Sequence, residues 1–176
     1  MNLKDYSTEL YHWGVKGQKW GVRRYQNKDG SLTPAGKKRA AKNEQLRKSE
    51  ADRYKRMAES EERSFERERK FMKEFKAQGQ YGPHMRRMYG FNDEKEAQEM
   101  FGKSLQQLWK EELDAVNHDM NITRARVTAY TKAHDTLMKM DVSTVKKQDI
   151  TKLGRKAVND SFNSDPDEDV NYYDDL

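Results

Sequence analysis

The residues best equipped for chemistry lie between Tyr11 and Arg39, and that chemistry is recognition. The string YHWGVKGQKWGVRRYQNKDGSLTPAGKKR holds Trp13 and Trp20, two of the three Trp, and five of the ten Gly. Lys16, Lys19, Arg23 and Arg24 alternate with Val15, Trp20 and Val22. An echo runs from Trp13-Gly14-Val15-Lys16 to Trp20-Gly21-Val22-Arg23. Such alternation predicts a short strand with one wet face and one apolar face. Eight Lys and Arg stand against the single acid Asp29. That balance attracts phosphates or an acidic protein surface, and the two indoles could stack on bases.

The same stretch carries its own geometry. Asn27-Lys28-Asp29-Gly30 predicts a tight turn, with Gly30 free to take positive φ. Thr33-Pro34 predicts a helix start, with Thr33 as N-cap and Pro34 at the first helical position. In this order the residues match His-x-Gly-x-Lys-Gly-x-Lys-Trp-Gly-x-Arg-Arg at His12, Gly14, Lys16, Gly17, Lys19, Trp20, Gly21, Arg23 and Arg24. They then match Asp-Gly-x-Leu-Thr-x-x-Gly-x-x-Arg at Asp29, Gly30, Leu32, Thr33, Gly36 and Arg39. The string resembles a short module of structural proteins of tailed bacteriophages and prophages of Gram-positive hosts. It departs from that pattern at Ala40, where the module has an aromatic. In that family the module sits on proteins of differing roles, which implies an attachment or packaging tag and no catalyst. The resemblance covers less than a fifth of the chain.

A second cluster of cations and aromatics lies at QGQYGPHMRRMYGF. Tyr81 and Tyr89 flank Arg86 and Arg87, a mixture that binds single-stranded nucleic acid by stacking and charge. The same residues equally suit a small core or a protein contact.

The sequence carries no recognisable catalytic pattern. The four His, at positions 12, 84, 118 and 134, are far apart and lack ligand spacing. His134 falls on an apolar stripe, which predicts a packed, hydrogen-bonded side chain. There is no phosphate-cradling glycine loop and no nucleophile elbow. Without Cys, disulfides, thiolate metal sites and Cys nucleophiles are excluded. The expectation is a protein that is no enzyme and uses no cofactor or metal.

Charged residues make up 37% of the 176 positions and apolar ones 34%, with mean hydropathy -1.28. That predicts long helices packed on each other or on a partner, with little large core. No run is apolar enough to span a bilayer, and residues 1–5 lack a signal-peptide core. The expectation is synthesis and use in the cytoplasm, with no membrane partner. Net charge is +5, yet no Lys or Arg follows Lys156, and seven acids do. The rest of the chain is therefore at +12 and seeks a polyanion or acidic surface.

The elements that must position these groups read as mainly α. They are extended or bundled long helices behind a small cationic strand-turn module, ahead of an acidic disordered tail. Residues 1–10 are a polar lead-in and 11–39 the module. A long charged helix spans 34–77, stabilised by Glu44–Lys48, Asp52–Arg56, Glu59–Arg63 and Glu66–Lys70 pairs. It is expected to be mostly exposed, with Phe65 to Phe75 packed on something. Residues 78–103 are a break followed by a short helix at 94–101, capped by Asn92 or Asp93. Residues 104–140 form the best amphipathic helix, with a stripe of Leu105, Trp109, Leu113, Val116, Met120, Val127, Tyr130 and Leu137. Asn121-Ile122-Thr123 would kink or split it. The stripe is either the core, against Phe65–Phe75, or an oligomer seam. A small helical unit spans 141–158, with Ser143 as N-cap, Val145, Ile150 and Leu153 as its apolar residues and Gly154 as a helix end, and 159–176 is the tail.

Two functions follow. The resemblance implies a phage virion component, a minor structural or internal head protein made in the host cytoplasm. Its module would attach it to capsid, portal or cargo within a larger assembly or homo-oligomer. A procapsid scaffold belongs to the same class. The charge implies a nucleic-acid-binding protein without sequence preference, touching packaged DNA.

Overall fold

The computed structural model describes residues 24–143 and 145–163. The lead-in, the first half of the module through Arg23 with its expected strand, and the acidic segment 164–176 lie outside the described residues. The described chain is mainly helical. In order come α1 (Pro34–Gln78), α2 (Pro83–Tyr89), α3 (Glu94–Phe101), α4 (Leu105–Lys139) and α5 (Lys147–Phe162). No helix among the described residues is long and apolar enough to cross a membrane.

α1 and α4 form an antiparallel hairpin whose seam repeats every seven residues. On α1 the seam residues are Arg47, Tyr54, Glu61, Glu68 and Phe75; on α4 they are Leu137, Tyr130, Thr123 and Trp109. The pairing is read directly from contacts. Arg47 donates to the Leu137 carbonyl at 3.3 Å, and the Tyr54 and Tyr130 rings lie 6.4 Å apart. Thr123 donates to Glu68 at 3.4 Å, and the Phe75 and Trp109 rings lie 6.3 Å apart. A seven-residue period keeps one face of each helix on its partner along many turns. The thin apolar stripe of α1 hid this period because the seam is polar at its middle. There Arg126 meets Glu61 at 4.0 Å, and one Glu68 oxygen is buried with no protein hydrogen-bond partner.

Two apolar clusters close the ends of the hairpin. At one end α5 lies beside both long helices. Ala51, Tyr54 and Ala58 meet Ala129, Tyr130, Ala133 and Leu137, with Ile150, Val158 and Phe162 of α5. Small residues let the three helices approach: a Cβ on Gly154 would come within 2.7 Å of the Tyr54 ring and 3.3 Å of Leu137. At the other end Phe75 packs with Met85, Phe91, Ala97, Leu105 and Leu108, and α2 and α3 fold over it. This tip is held by an aromatic set: Phe71 stacks on Phe75 at 5.8 Å, and His84 meets both rings edge-on.

Most helix boundaries follow local chemistry. Thr33 and Asp93 cap α1 and α3 through their side chains, and Ser104 with Gln107 forms a capping box on α4. Several expectations are corrected. Residues 83–89 are a helix and not part of a break, since Pro83 at its first position costs no backbone hydrogen bond. Asn121-Ile122-Thr123 does not interrupt α4, which runs unbroken from Leu105 to Lys139 with Thr123 buried against α1. The last helix starts after Lys146 and not at Ser143, whose N–H and hydroxyl instead donate to the Asp141 carboxylate, each at 2.9 Å. Gly154 lies inside α5 and does not end it; its missing side chain makes room for Tyr54. Residues 159–162 are helical, and Phe162 is buried. α1 is exposed along most of its length, and its C-terminal third packs through Phe71, Met72 and Phe75, as expected; Ala51, Tyr54 and Ala58 add a second buried patch midway.

The expected ion pairs of α1 are also redrawn. Glu44 meets Lys48 at 3.5 Å and Arg47 at 2.7 Å. Glu66 pairs with Arg69, and Lys70 with Glu74. Among the described residues Arg56 and Arg63 are in no ion pair. Surface pairs at this spacing contribute only about 0.3–0.5 kcal/mol, too little to hold long side chains together.

The stripe of α4 is a core seam on its own chain. Leu105, Tyr130 and Leu137 are buried in the two clusters, and Trp109 and Leu113 pack against the tip cluster. Val116, Met120 and Val127 are half-buried along the hairpin middle. Leu108, Ala129 and Ala133 are buried and were not in the stripe. His134 is half-buried on that flank, its Nδ1 2.9 Å from Asp135.

Candidate attachment site

The described half of the module is a small turn clamped onto the start of α1. Gly30 takes φ 87°, a conformation that side chains disfavour. The turn closes through Gly30 N–H to the Asn27 carbonyl at 3.2 Å and Asn27 N–H to the Ser31 carbonyl at 2.7 Å. A single antiparallel bridge joins Gln26 and Leu32. The Asp29 carboxylate accepts from the Ser31 hydroxyl at 2.7 Å and its N–H at 2.9 Å. Those two donors hold the Asp29 carboxyl below the usual aspartate range.

Thr33 joins turn to helix. Its hydroxyl oxygen accepts from the Gly36 N–H at 3.1 Å, capping α1. The same hydroxyl donates to the Arg24 carbonyl at 2.8 Å. Its backbone N–H donates to the Tyr25 carbonyl at 3.1 Å. Tyr25 then lies under the Arg39 guanidinium, 4.8 Å from the ring centre, with Arg24 5.3 Å away. Arg39 also donates to the Val145 carbonyl at 2.6 Å, and Asn43 to Val142 and Val145. One arginine thus ties the turn to the connection between α4 and α5.

Gly36 is where the chain approaches itself most closely. It is buried, and a Cβ there would fall on the Tyr25 carbonyl oxygen. Alanine favours a helix over glycine by about 1 kcal/mol, so Gly36→Ala leaves α1 intact while evicting the turn. The expected result is faster tryptic cleavage at Arg24 and Lys28, with a melting temperature within about 3 °C of the parent. An unchanged cleavage rate refutes the clamp.

Asp29, Gly30, Thr33, Gly36 and Arg39 therefore each have a structural reason. His12, Trp13, Gly14, Lys16, Gly17, Lys19, Trp20, Gly21 and Arg23 lie outside the described residues, while Arg24 is exposed at the edge of the turn. Sequence reasoning missed Tyr25 as the platform for Arg39. Its only signal was an aromatic preceding a turn, with cations on both sides.

The second candidate cluster is divided by the fold. Tyr81, Arg86 and Arg87 are exposed at the tip. Tyr89 packs on Phe91 and Phe101, and its hydroxyl donates to Glu112 at 3.2 Å. Burial, then the Glu112 charge, raises its pKa. Tyr89 is thus engaged in packing at the tip, apart from the exposed Tyr81, Arg86 and Arg87.

A family described only as one of unknown function (DUF7211) matches residues 4–27. The match covers the lead-in and the first half of the module, and it stops inside the turn. No curated protein and no solved structure matches the chain.

Proposed function

We propose that the protein is an assembly component of a phage particle. It is a helical hairpin that carries an attachment tag at residues 11–39 and fastens to capsid, portal or cargo in the head. What supports this reading is the clamp. The residues that carry the resemblance in its second half, from Asp29 to Arg39, are those that weld the turn to α1. The clamp fixes the turn at residues 24–33 on the first turns of α1. Preorganisation of that kind lowers the ordering cost of docking.

The test is incorporation into particles. Purified virions and empty procapsids are compared for copies of this protein by quantitative mass spectrometry, for the parent and for Trp20→Ala. The parent is expected in mature virions at fixed copy number, and Trp20→Ala is expected to be lost from them, with little effect of salt. Full incorporation after deletion of residues 11–39 removes the tag reading.

A further inference from the structure

Charge is segregated along the hairpin. Residues 24–57 and 124–163, the three-helix end, hold 20 Lys and Arg against eight Asp and Glu. Residues 58–123, the middle and tip, hold 11 against 14. Running from the first of these segments into the second, one line of side chains on α1 contains no acid. Stepping three or four residues at a time, it meets Lys38, Lys42, Arg53, Arg56, Arg63 and Arg67, with Gln45, Ser49 and Ser60 at the remaining steps. Residues so spaced share one face of a helix. All nine are exposed, and the line ends as Phe71 and Glu74 follow. It extends for about 44 Å at 1.5 Å per residue.

The six cations are available. Of these six cations, only Arg53 is in an ion pair with a described residue, a loose one with Glu50 at 3.9 Å. Arg67 reaches the Ser64 hydroxyl at 3.4 Å. Arg56 and Arg63 are in no ion pair with the acids four residues before them, so their guanidinium groups are open to a ligand.

We propose that this ridge is a docking surface for the phosphate backbone of nucleic acid, read without sequence preference. It goes beyond attachment through residues 11–39 and does not depend on it. Two observations favour nucleic acid over an acidic protein. The ridge has no apolar side chain, whereas protein interfaces carry an apolar or aromatic centre. The exposed large apolar residues are elsewhere: Tyr81, Met88, Met100 and Phe101 around the tip, and Met138 on α4. Phosphate contacts, by contrast, use Arg and Lys with hydroxyl and amide donors, which is the composition of the ridge. Arginine supplies four of the six cations and can grip phosphate oxygens bidentately. The ridge is as long as about 13 base pairs of duplex at 3.4 Å each.

The experiment uses the full chain and a fluorescein-labelled 40-base-pair duplex of mixed sequence, with anisotropy measured across a sodium chloride series. The variant R53Q/R56Q/R63Q/R67Q changes only exposed positions, and glutamine matches arginine closely in helix propensity. A control, K132Q/K139Q/K147Q/K152Q, removes the same charge off the ridge, and circular dichroism checks both folds. The parent is expected to bind with steep salt dependence. The ridge variant is expected to lose at least about tenfold in affinity near 100 mM salt, with the slope reduced by about 3. The control is expected to keep most of both. Equal loss in the two variants would leave net charge as the whole cause and overturn the ridge. Equally tight binding of polyglutamate would overturn nucleic acid as its partner.

Discussion

Phe75→Ala is expected to cost about 3–5 kcal/mol of stability, the range for emptying a buried aromatic site. Phe75 is fully buried and joins α1 to everything at the tip. It stacks on Phe71, meets His84 at 4.8 Å, and faces Trp109 across the seam. α2 and α3 are seven and eight residues long, far too short to persist alone. They depend on Phe75 with Met85, Phe91 and Ala97 for their attachment. Urea unfolding followed by circular dichroism should show the loss, equivalent to about 10 °C or more in melting temperature. Hydrogen exchange should show amides of 83–108 opening first, while 129–137 and 150–162 stay protected. A loss under 1 kcal/mol would mean that the tip does not rest on this ring.

Leu137→Ala should do the converse. Leu137 is fully buried where three helices meet, and the site beside Gly154 is already close-packed. A cavity there has no small residue able to swell into it, so the cost is expected to be about 2–5 kcal/mol. Protection should fall in α5 and in 51–58 while the tip keeps its own. Leu137 lies opposite Arg47, which is 28 residues from Phe75 along α1, so the two sites are about 40 Å apart. Their effects should then add within about 0.5 kcal/mol in the double variant. Strong non-additivity would show that the polar middle of the hairpin couples its ends.

That polar middle explains why the hairpin was hard to foresee. A search for apolar periodicity finds Tyr54 and Phe75 but passes over Glu61 and Glu68, which occupy the same line. On α4 it finds Trp109 and Tyr130 but not Thr123. The heptad is legible only once the two helices are laid side by side. The small residues hide for a similar reason. Ala129, Ala133 and Gly154 carry little hydrophobic signal, yet they let three backbones approach, and their burial depends on what faces them.

The segment from Tyr25 to Arg39 divides along the same boundary. The Asn27–Gly30 turn, the Thr33 cap and Pro34 are local chemistry, decided within four residues, and the chain declares them. Its mainly helical class follows as directly from Ala, Glu, Lys and Arg over long Gly-free runs. So do the caps at Asp93 and Ser104, because a side chain that satisfies a nearby N–H needs no distant partner. The rest belongs to tertiary structure. Only the fold sets the Tyr25 ring under Arg39 and the Val145 carbonyl at its other side. Only the fold decides that Gly154 is interior, that Phe162 is core, and that Arg56 and Arg63 stand unpaired on an open ridge. Such outcomes depend on contacts between residues as much as 106 positions apart. The energy of each is shared between segments, so neither segment alone carries the signal.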